Sequence, residues 1–387
     1  MKCLFVVSDF EVGGITSSLK NITKELIQRG HEVSILNLPK ADSLPMGFDK
    51  RVNLLELDKR SKFWNFGIYS IFEKNLCGKC SGLIIGLIKK ILNKLNLWNR
   101  WVFEKLNIEE KYDIAIGFRQ GPVDYYVARY KVNADIHVGF WHGDPDHMGD
   151  MSSWDSCISK MDIIAGVSDA TCESLLRHYP ILKGKLQTVY NIFDVDAIKM
   201  NAKKEKNLYN TKTFNIVTVS RIDFFNPKNH QRIPEICKLL VQDNIKFHWT
   251  IVGDGPDREK LQAMIEQHNL MDTISLIGVK SNPYPYIKEA DLFVLTSTWE
   301  SYGMVVMESL ILGTPVVAGD YPALKEILPN TCGIRADNSV DGIYSAIKKA
   351  ITDVLFYQEI KKNSLKFTYS TDETYRQFLG LSGDKDA

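Results

Sequence analysis

The stretch Thr296–Gly319, TSTWESYGMVVMESLILGTPVVAG, holds two carboxylates with seven residues between them, Glu300 and Glu308. Glu300 stands in a polar segment just before Gly303, whereas Glu308 sits inside an apolar run that reads as a buried helix from Met304, stopped by Gly313. An ionised carboxylate in such a run costs several kcal/mol unless donors reach it. The protein or a ligand must supply them, and a diol such as a ribose offers two hydroxyl donors to one carboxylate. In parallel α/β sheets ligands lie beyond the carboxyl ends of the strands. The segment 298–303 follows an apolar run at 291–297, so Glu300, Ser301, Tyr302 and Gly303 fall on that edge, with the free N–H groups of the following helix aimed there.

Other strand ends of the same half agree. SRIDFFNPKNH brings Arg221 and Lys228 into one turn after strand 214–220, a pair of cations suited to a diphosphate. GDGPD follows strand 247–253, where Gly253 and Gly255 permit close backbone approach. In the first half, Gly13 and Gly14 lead into a helix like a phosphate-binding turn, but G-x-G-x-x-G is absent. The second strand ends at Asn37 with no acidic residue for an adenosine ribose, which disfavours a dinucleotide dehydrogenase. The glycines then line the floor of a cleft. WHGDPDHMGD adds His142, Asp144, Asp146 and His147, a set that includes metal-ligating types.

The elements needed to position these residues are legible as alternation. Short apolar runs alternate with helical periodicity along nearly the whole chain, the mark of parallel sheets covered by helices. One series of strands ends near Asn191. A lysine-rich stretch, DAIKMNAKKEKNLYNTKT, reads as a linker, and a second series starts at FNIVTVS. The expectation is an α/β protein of two consecutive doubly wound, Rossmann-like domains, 1–195 and 196–364, followed by a segment, FTYSTDETYRQFLGL, compatible with a final helix. At 387 residues, two cores are the prior. Lys and Arg number 48 against 47 Asp and Glu, a net charge of +1, so nothing global argues for nucleic acid as a partner.

The first apolar run is short and reads as a buried strand rather than a signal peptide, and no segment approaches the roughly 20 apolar residues of a spanning helix. The 7 cysteines are odd in number and scattered, consistent with reduced thiols in the cytoplasm; Cys77-Gly-Lys-Cys80 has no second pair and reads as incidental. From 84 to 106, Ile84, Ile88, Ile91, Leu95, Trp98 and Val102 form a stripe beside Lys89, Lys90, Lys94, Arg100 and Lys105. This basic amphipathic helix either packs on the first sheet or lies against the inner face of a membrane.

These residues together resemble glycosyltransferase family 4, the retaining enzymes of GT-B fold that carry an E-x7-E motif; the resemblance implies two domains facing a central cleft, 1–195 on the acceptor side and 196–364 on the nucleotide side, with a last helix at about 365–387 returning to the first. The resemblance runs through Gly13-Gly14, VYNIFD, SRIDFFNPKNH, IVGDGPDREKLQ, LIGVKSN, ESYGMVVME and SLILGTPVVAGDYPALKEIL. It implies that Glu308 binds ribose hydroxyls and Glu300 the donor sugar, with backbone N–H groups at Tyr302 to Met304 assisting. Arg221 and Lys228 would neutralise the diphosphate, Val279 and Lys280 would hold the base, Gly14 would approach the phosphates, and His142 would stand near the reaction centre. It further implies a nucleotide-sugar donor, a UDP-sugar in the commonest case, and a glycan or lipid-linked acceptor in surface polysaccharide synthesis. Neither a metal nor another cofactor is expected. Asp144-Pro-Asp146 resembles the D-x-D of metal-dependent glycosyltransferases of another fold; facing the acceptor is the alternative role for these two. Competing functions are a non-hydrolysing nucleotide-sugar epimerase, which shares the two-domain fold, and a non-catalytic scaffold that binds nucleotide sugars.

Overall fold

The structure is a computed structural model that describes residues 1–10, 13–38, 47–55, 57, 97–149, 151, 154–225 and 227–383. The chain divides into two compact units: Met1–Val167 with Thr171–Ile192 and the segment from Asp372, and Ser168–Ala170 with Phe193–Thr371.

The first unit is built on a wholly parallel sheet of seven strands: β1 (Lys2–Val7), β2 (Glu32–Asn37), β3 (Asn53–Leu55), β4 (Ile108–Gly117), β5 (Val132–Trp141), β6 (Ile163–Gly166) and β7 (Leu186–Thr188). Their order, β3-β2-β1-β4-β5-β6-β7, places the chain's first strand centrally, with crossovers to either side. β1 is buried almost throughout, as a strand covered on both faces must be, and its run of Cys3 to Val7 alternates between two cores. Leu4 and Val6 pack with Trp98, Val102 and Phe103 on one side; Cys3, Phe5 and Val7 pack with Leu19, Ile22 and Leu26 of helix Gly14–Gln28 on the other.

The last helix, Thr371–Gly380, belongs to the first unit. Its Tyr375 and Phe378 enter the core of Cys3 and Phe5, Asp372 pairs with Arg29, the Tyr375 hydroxyl meets His31 Nε2 at 2.5 Å, and Gln377 accepts the Tyr190 N–H.

The second unit holds a wholly parallel six-stranded sheet: β8 (Phe214–Val219), β9 (Phe247–Val252), β10 (Ile274–Leu276), β11 (Leu292–Leu295), β12 (Val316–Gly319) and β13 (Gly333–Ala336), in the order β10-β9-β8-β11-β12-β13. The order reverses between β8 and β11, which pair directly. Loops after these two strands therefore diverge around a crevice, the usual ligand edge of such a sheet. Trp249 lies fully buried in the core beneath, its indole N–H donating to Thr218 Oγ1 at 3.0 Å.

Two sequence expectations change. The polar stretch read as a linker begins as a helix, Val195–Asn201: Asp194 caps it by accepting the Ala197 N–H at 3.1 Å, and Ile198 is buried, so lysine content misjudged a segment with one apolar face. Strand bounds differ from the apolar runs that announced them in both directions: β4 and β5 start earlier, at Ile108 and Val132, while 291–297 yields only Leu292–Leu295, because Thr296 to Thr298 turn their bonds toward the neighbouring loop. The basic helix expected over 84–106 and the Cys77–Cys80 pair lie largely or wholly outside the described residues. Of that helix, Trp98–Val102 is seen, with Trp98 and Val102 buried in the first unit and Trp101 exposed. Among the described residues no helix is long and apolar enough to cross a membrane.

Candidate functional site

The crevice of the second unit is assembled by hydrogen bonds between the loops after β8 and β11. Thr296 Oγ1 donates to the Lys228 carbonyl at 2.8 Å, and the Thr298 N–H donates to the Pro227 carbonyl at 2.8 Å. Asn338 ties the same turn from the far side: its amide donates to the Thr298 carbonyl at 2.8 Å, and Arg232 Nη1 donates to its oxygen at 2.6 Å. So fastened, Lys228 Nζ stands 2.5 Å from Glu300 Oε1, which also accepts from Ser297 Oγ at 2.7 Å. The two side chains are only 22% and 15% exposed, so this is a sheltered pair, stronger than a surface bridge but able to exchange partners with a ligand.

Beyond Glu300 the chain reaches Gly303, at φ +95°, which caps helix Met304–Ile311. A Cβ here would lie 2.8 Å from the Tyr321 hydroxyl, so both the left-handed backbone and the packing require glycine. Tyr302 is buried and stacks on Phe193 with ring centroids 6.3 Å apart, and the Ser301 carbonyl accepts from Ser168 Oγ at 2.7 Å. Met304, partly buried, is the first helical residue. Tyr321 is 3% exposed, and its hydroxyl has no hydrogen-bond partner among the described residues; burial, and then the charge of Glu300, hold its pKa well above the ordinary range.

Glu308 lies one turn further along the helix, partly buried. Its one donor among the described residues is the Tyr284 hydroxyl, 3.2 Å from Oε1. Burial pushes the Glu308 carboxyl up to about 7, with the Tyr284 bond pulling the other way. At neutral pH this carboxyl is poised between forms and becomes a full acceptor when donors arrive.

Arg221 is 70% exposed at the mouth of the crevice, its guanidinium 3.5 Å from Asp223. The loop that carries it folds around the fully buried His230: the Asp223 N–H donates to Nδ1 at 3.3 Å and Nε2 meets Ser220 Oγ at 2.9 Å. Gly253 and Gly255 serve the packing of backbone on backbone, since a Cβ on either would lie 2.0 and 2.1 Å from the carbonyls of Ser220 and Ile222. Val279 is exposed and Lys280 Nζ lies 6.0 Å over the Tyr286 ring, both just past the Gly253–Gly278 bridge.

The remaining sequence-selected residues belong to the first unit. Gly13 and Gly14 open helix Gly14–Gln28 beyond β1. His142 is buried at the end of β5, donating from Nε2 to the Phe118 carbonyl at 2.9 Å while its N–H reaches Gln120 at 3.1 Å; burial lowers its pKa to about 4, so it is neutral. Asp144 caps the short turn Pro145–His147 and accepts from His147 Nδ1 at 2.9 Å. Asp146 pairs with Arg177 and with His178 at 2.9 Å. Among the described residues no group of three or more His, Cys, Asp and Glu side chains is arranged to hold a metal ion.

Sequence reasoning misses Tyr284, Ser297, His230 and Tyr321. The demand of Glu308 for a donor is readable, but Tyr284 comes from a different segment. His230 had a signal, as the last residue of FFNPKNH, but one that a search for exposed cations passes over. A cavity of about 640 Å³ in the second unit, lined by Tyr209, Asn215, His248, Thr250 and Ser275, contains none of the site residues.

The sheet order is that of a doubly wound, Rossmann-like domain, and comparison with known proteins finds this fold among solved glycosyltransferases. Residues 199–367 match the family model described as glycosyl transferases group 1, so the second unit carries a domain of that family. An uncharacterized glycosyltransferase of Methanocaldococcus jannaschii is 27% identical over 211 residues, 53% of this chain and 52% of that protein. The N-acetylgalactosamine-N,N'-diacetylbacillosaminyl-diphospho-undecaprenol 4-alpha-N-acetylgalactosaminyltransferase of Campylobacter jejuni is 30% identical over 162 residues, 42% of each chain. The chain thus spans about half the length of the curated relatives it matches. The crystal structure of a Staphylococcus aureus TarM mutant in complex with fondaparinux, alpha-GlcNAc-glycerol and UDP superposes with a TM-score of 0.72 at 16% identity, covering 99% of this chain and 100% of that one.

Proposed function

We propose that this chain is a glycosyltransferase that moves a sugar from a nucleotide-sugar donor, a UDP-hexose or UDP-N-acetylhexosamine, to a glycan or lipid-linked glycan acceptor in surface polysaccharide synthesis. The observation that carries the proposal is the sheltered Lys228–Glu300 pair on the loop that leads into the helix of the half-buried Glu308, at the ligand edge of the sheet in a stretch that matches glycosyl transferases group 1. Glu308 accepts the ribose hydroxyls, and Glu300 accepts donor-sugar hydroxyls. Lys228 and Arg221 take the diphosphate. As the bond from sugar to phosphate breaks, charge grows on the departing oxygens, and these two cations stabilise it more than in the ground state. The leaving oxygen then takes the acceptor proton on the same face, so configuration is retained without a protein nucleophile or a bound metal. The UDP named in the TarM structure and the undecaprenyl-linked acceptor in the Campylobacter relative's name favour this donor and acceptor class. Work at the inner face of a membrane goes with such an acceptor, and liposome binding lost on neutralising the lysines of 84–106 would support it.

The test is thermal unfolding with UDP, GDP and ADP, each in EDTA and in magnesium, on wild type and Glu308→Ala. Ligand at 100 times its Kd adds roughly 2.7 kcal/mol. Stabilisation by one nucleotide in EDTA, lost in Glu308→Ala, supports the reading. Stabilisation only with magnesium transfers weight to Asp144 and Asp146, and stabilisation by none of the three sinks it.

A further inference from the structure

Glu308 is a carboxylate whose usefulness depends on where its lone pairs point. Its helix neighbours, Val306, Met307, Ser309 and Leu310, are buried and direct no donor at it. The described residues give Oε2 no hydrogen bond, and give Oε1 one, from the Tyr284 hydroxyl at 3.2 Å. The tyrosine is itself firmly held. It opens helix Tyr284–Glu289 between Pro283 and Pro285, which restrict the backbone on both sides. Two carbonyls of that short helix are tied down, Tyr286 by the Tyr209 hydroxyl at 3.0 Å and Ile287 by Thr314 Oγ1 at 2.8 Å.

We propose that Tyr284 is a positioning residue for the nucleotide: its hydroxyl fixes Oε1 of Glu308, so that the carboxylate is oriented in advance and Oε2 is presented to the ligand's vicinal diol. The inference rests on the nucleotide-sugar reading of the site and adds a residue and a regulation to it. A bond donated by a neutral phenol favours the ionised carboxylate, opposing the burial that raises it to about 7. Burial raises the Tyr284 pKa, the charge of Glu308 and its hydrogen bond raise it further, and Asp194, the one other charged group acting on the pair among the described residues, adds to this, so the phenol stays protonated as a donor. Diol binding thus strengthens as pH rises through neutrality, and Tyr284 sets where on the pH scale this happens.

The experiment is calorimetric titration of UDP in EDTA from pH 5.5 to 8.5, on wild type, Tyr284→Phe, Glu308→Gln and the double variant. UDP's own phosphate titration persists in Glu308→Gln, so the part of the pH dependence lost in that variant belongs to Glu308. In Tyr284→Phe that part moves to higher pH. Binding at pH 6 falls roughly tenfold, the worth of one hydrogen bond to a charged group, and recovers toward wild type at pH 8.5. The double variant binds like Glu308→Gln alone. An unchanged Kd and profile in Tyr284→Phe, an equal loss at every pH, or an additive loss in the double variant would overturn the inference while leaving the nucleotide reading intact. Wild type that binds no nucleotide sinks both. Should Tyr284→Phe not fold, 3-fluorotyrosine at 284 keeps the ring and makes a stronger donor; it shifts the Glu308 part to lower pH, and no shift refutes the role.

Discussion

Lys228 and Glu300 form a short, sheltered ion pair, Nζ to Oε1 at 2.5 Å, across two loops that leave adjacent strands of the second sheet. The pair ties together the two loops that flank the crevice, and the proposed reaction gives each member a different ligand partner. Removing one member leaves a partly buried charge uncompensated, so Lys228→Met and Glu300→Gln should each cost about 1–2 kcal/mol, with a coupling of about 1 kcal/mol in the double variant. In saturating UDP the coupling should shrink, because Lys228 then serves phosphate. Urea unfolding of the four proteins with and without UDP measures both numbers, and a coupling that UDP leaves unchanged would argue that the pair is purely structural.

Glu308 opposes function to stability. Its folded pKa of about 7 lies above the ordinary 4.5, so the folded state holds its proton more tightly. The stability this confers is complete below pH 4.5 and is lost as pH rises through 7. Glu308→Gln should therefore stabilise the ligand-free protein at pH 8 by about 1–2 kcal/mol, discounted for partial solvent access, and change little at pH 4.5. UDP binding should fall in the same variant. Equal stability of the two proteins at pH 8 would mean that water or an unseen donor already satisfies the carboxylate.

How far the sequence reveals this site differs from residue to residue. The demand that Glu308 makes is legible because an acid amid Val305, Val306, Met307 and Leu310 is a local contradiction, and local contradictions show in a linear string. The alternation of apolar runs and helical periods likewise marks two doubly wound sheets, since strand burial on both faces writes itself into composition. What answers Glu308 is not legible: Tyr284 stands 24 positions earlier, and only the packing of its helix brings it near. Gly253 and Gly255 read as openings for a ligand, yet the backbone they admit is that of Ser220 to Ile222. Glycine reports that something approaches, without saying what. The helix Val195–Asn201 is hidden by lysines for the complementary reason, that charge on one face masks a buried Ile198 on the other.

Tyr321 and Gly303 make a second constraint. The buried hydroxyl has no partner among the described residues, and burying such a group unsatisfied costs about 1–3 kcal/mol. Tyr321→Phe should raise the stability of the ligand-free protein by about 1 kcal/mol. Gly303→Ala should lower it by about 2 kcal/mol or more, from the left-handed backbone at φ +95° and a contact of 2.8 Å with that hydroxyl. Tyr321→Phe should rescue only the contact part of that loss. Thermal melts of the single and double variants test this, and a Tyr321→Phe protein that melts earlier than wild type would reveal a bound water or another hidden partner for the phenol.

His230 sets the acid limit of the second unit. Burial lowers its pKa from 6.5 to about 4, and its neutral ring accepts the Asp223 N–H at Nδ1 while Nε2 meets Ser220 Oγ, which shapes the loop bearing Arg221 and Lys228. The unfolded chain protonates this histidine near 6.5 and the folded chain does not, so its contribution is complete above pH 6.5 and is lost as pH falls toward 4. The span corresponds to about 3 kcal/mol. His142 is depressed in the same way, from 6.5 to about 4, in the first unit. Both units should therefore weaken between pH 6.5 and 4, although Glu308 acts in the opposite direction over part of that range. The loop around His230 should loosen before the sheet does, because the loop depends on the neutral ring. Hydrogen exchange at Asp223 and Phe224, followed from pH 7 to 4.5 and corrected for intrinsic rates, should show lost protection there while Ile216 and Val217 of β8 stay protected. Uniform loss across loop and strand would place the acid sensitivity elsewhere in the unit.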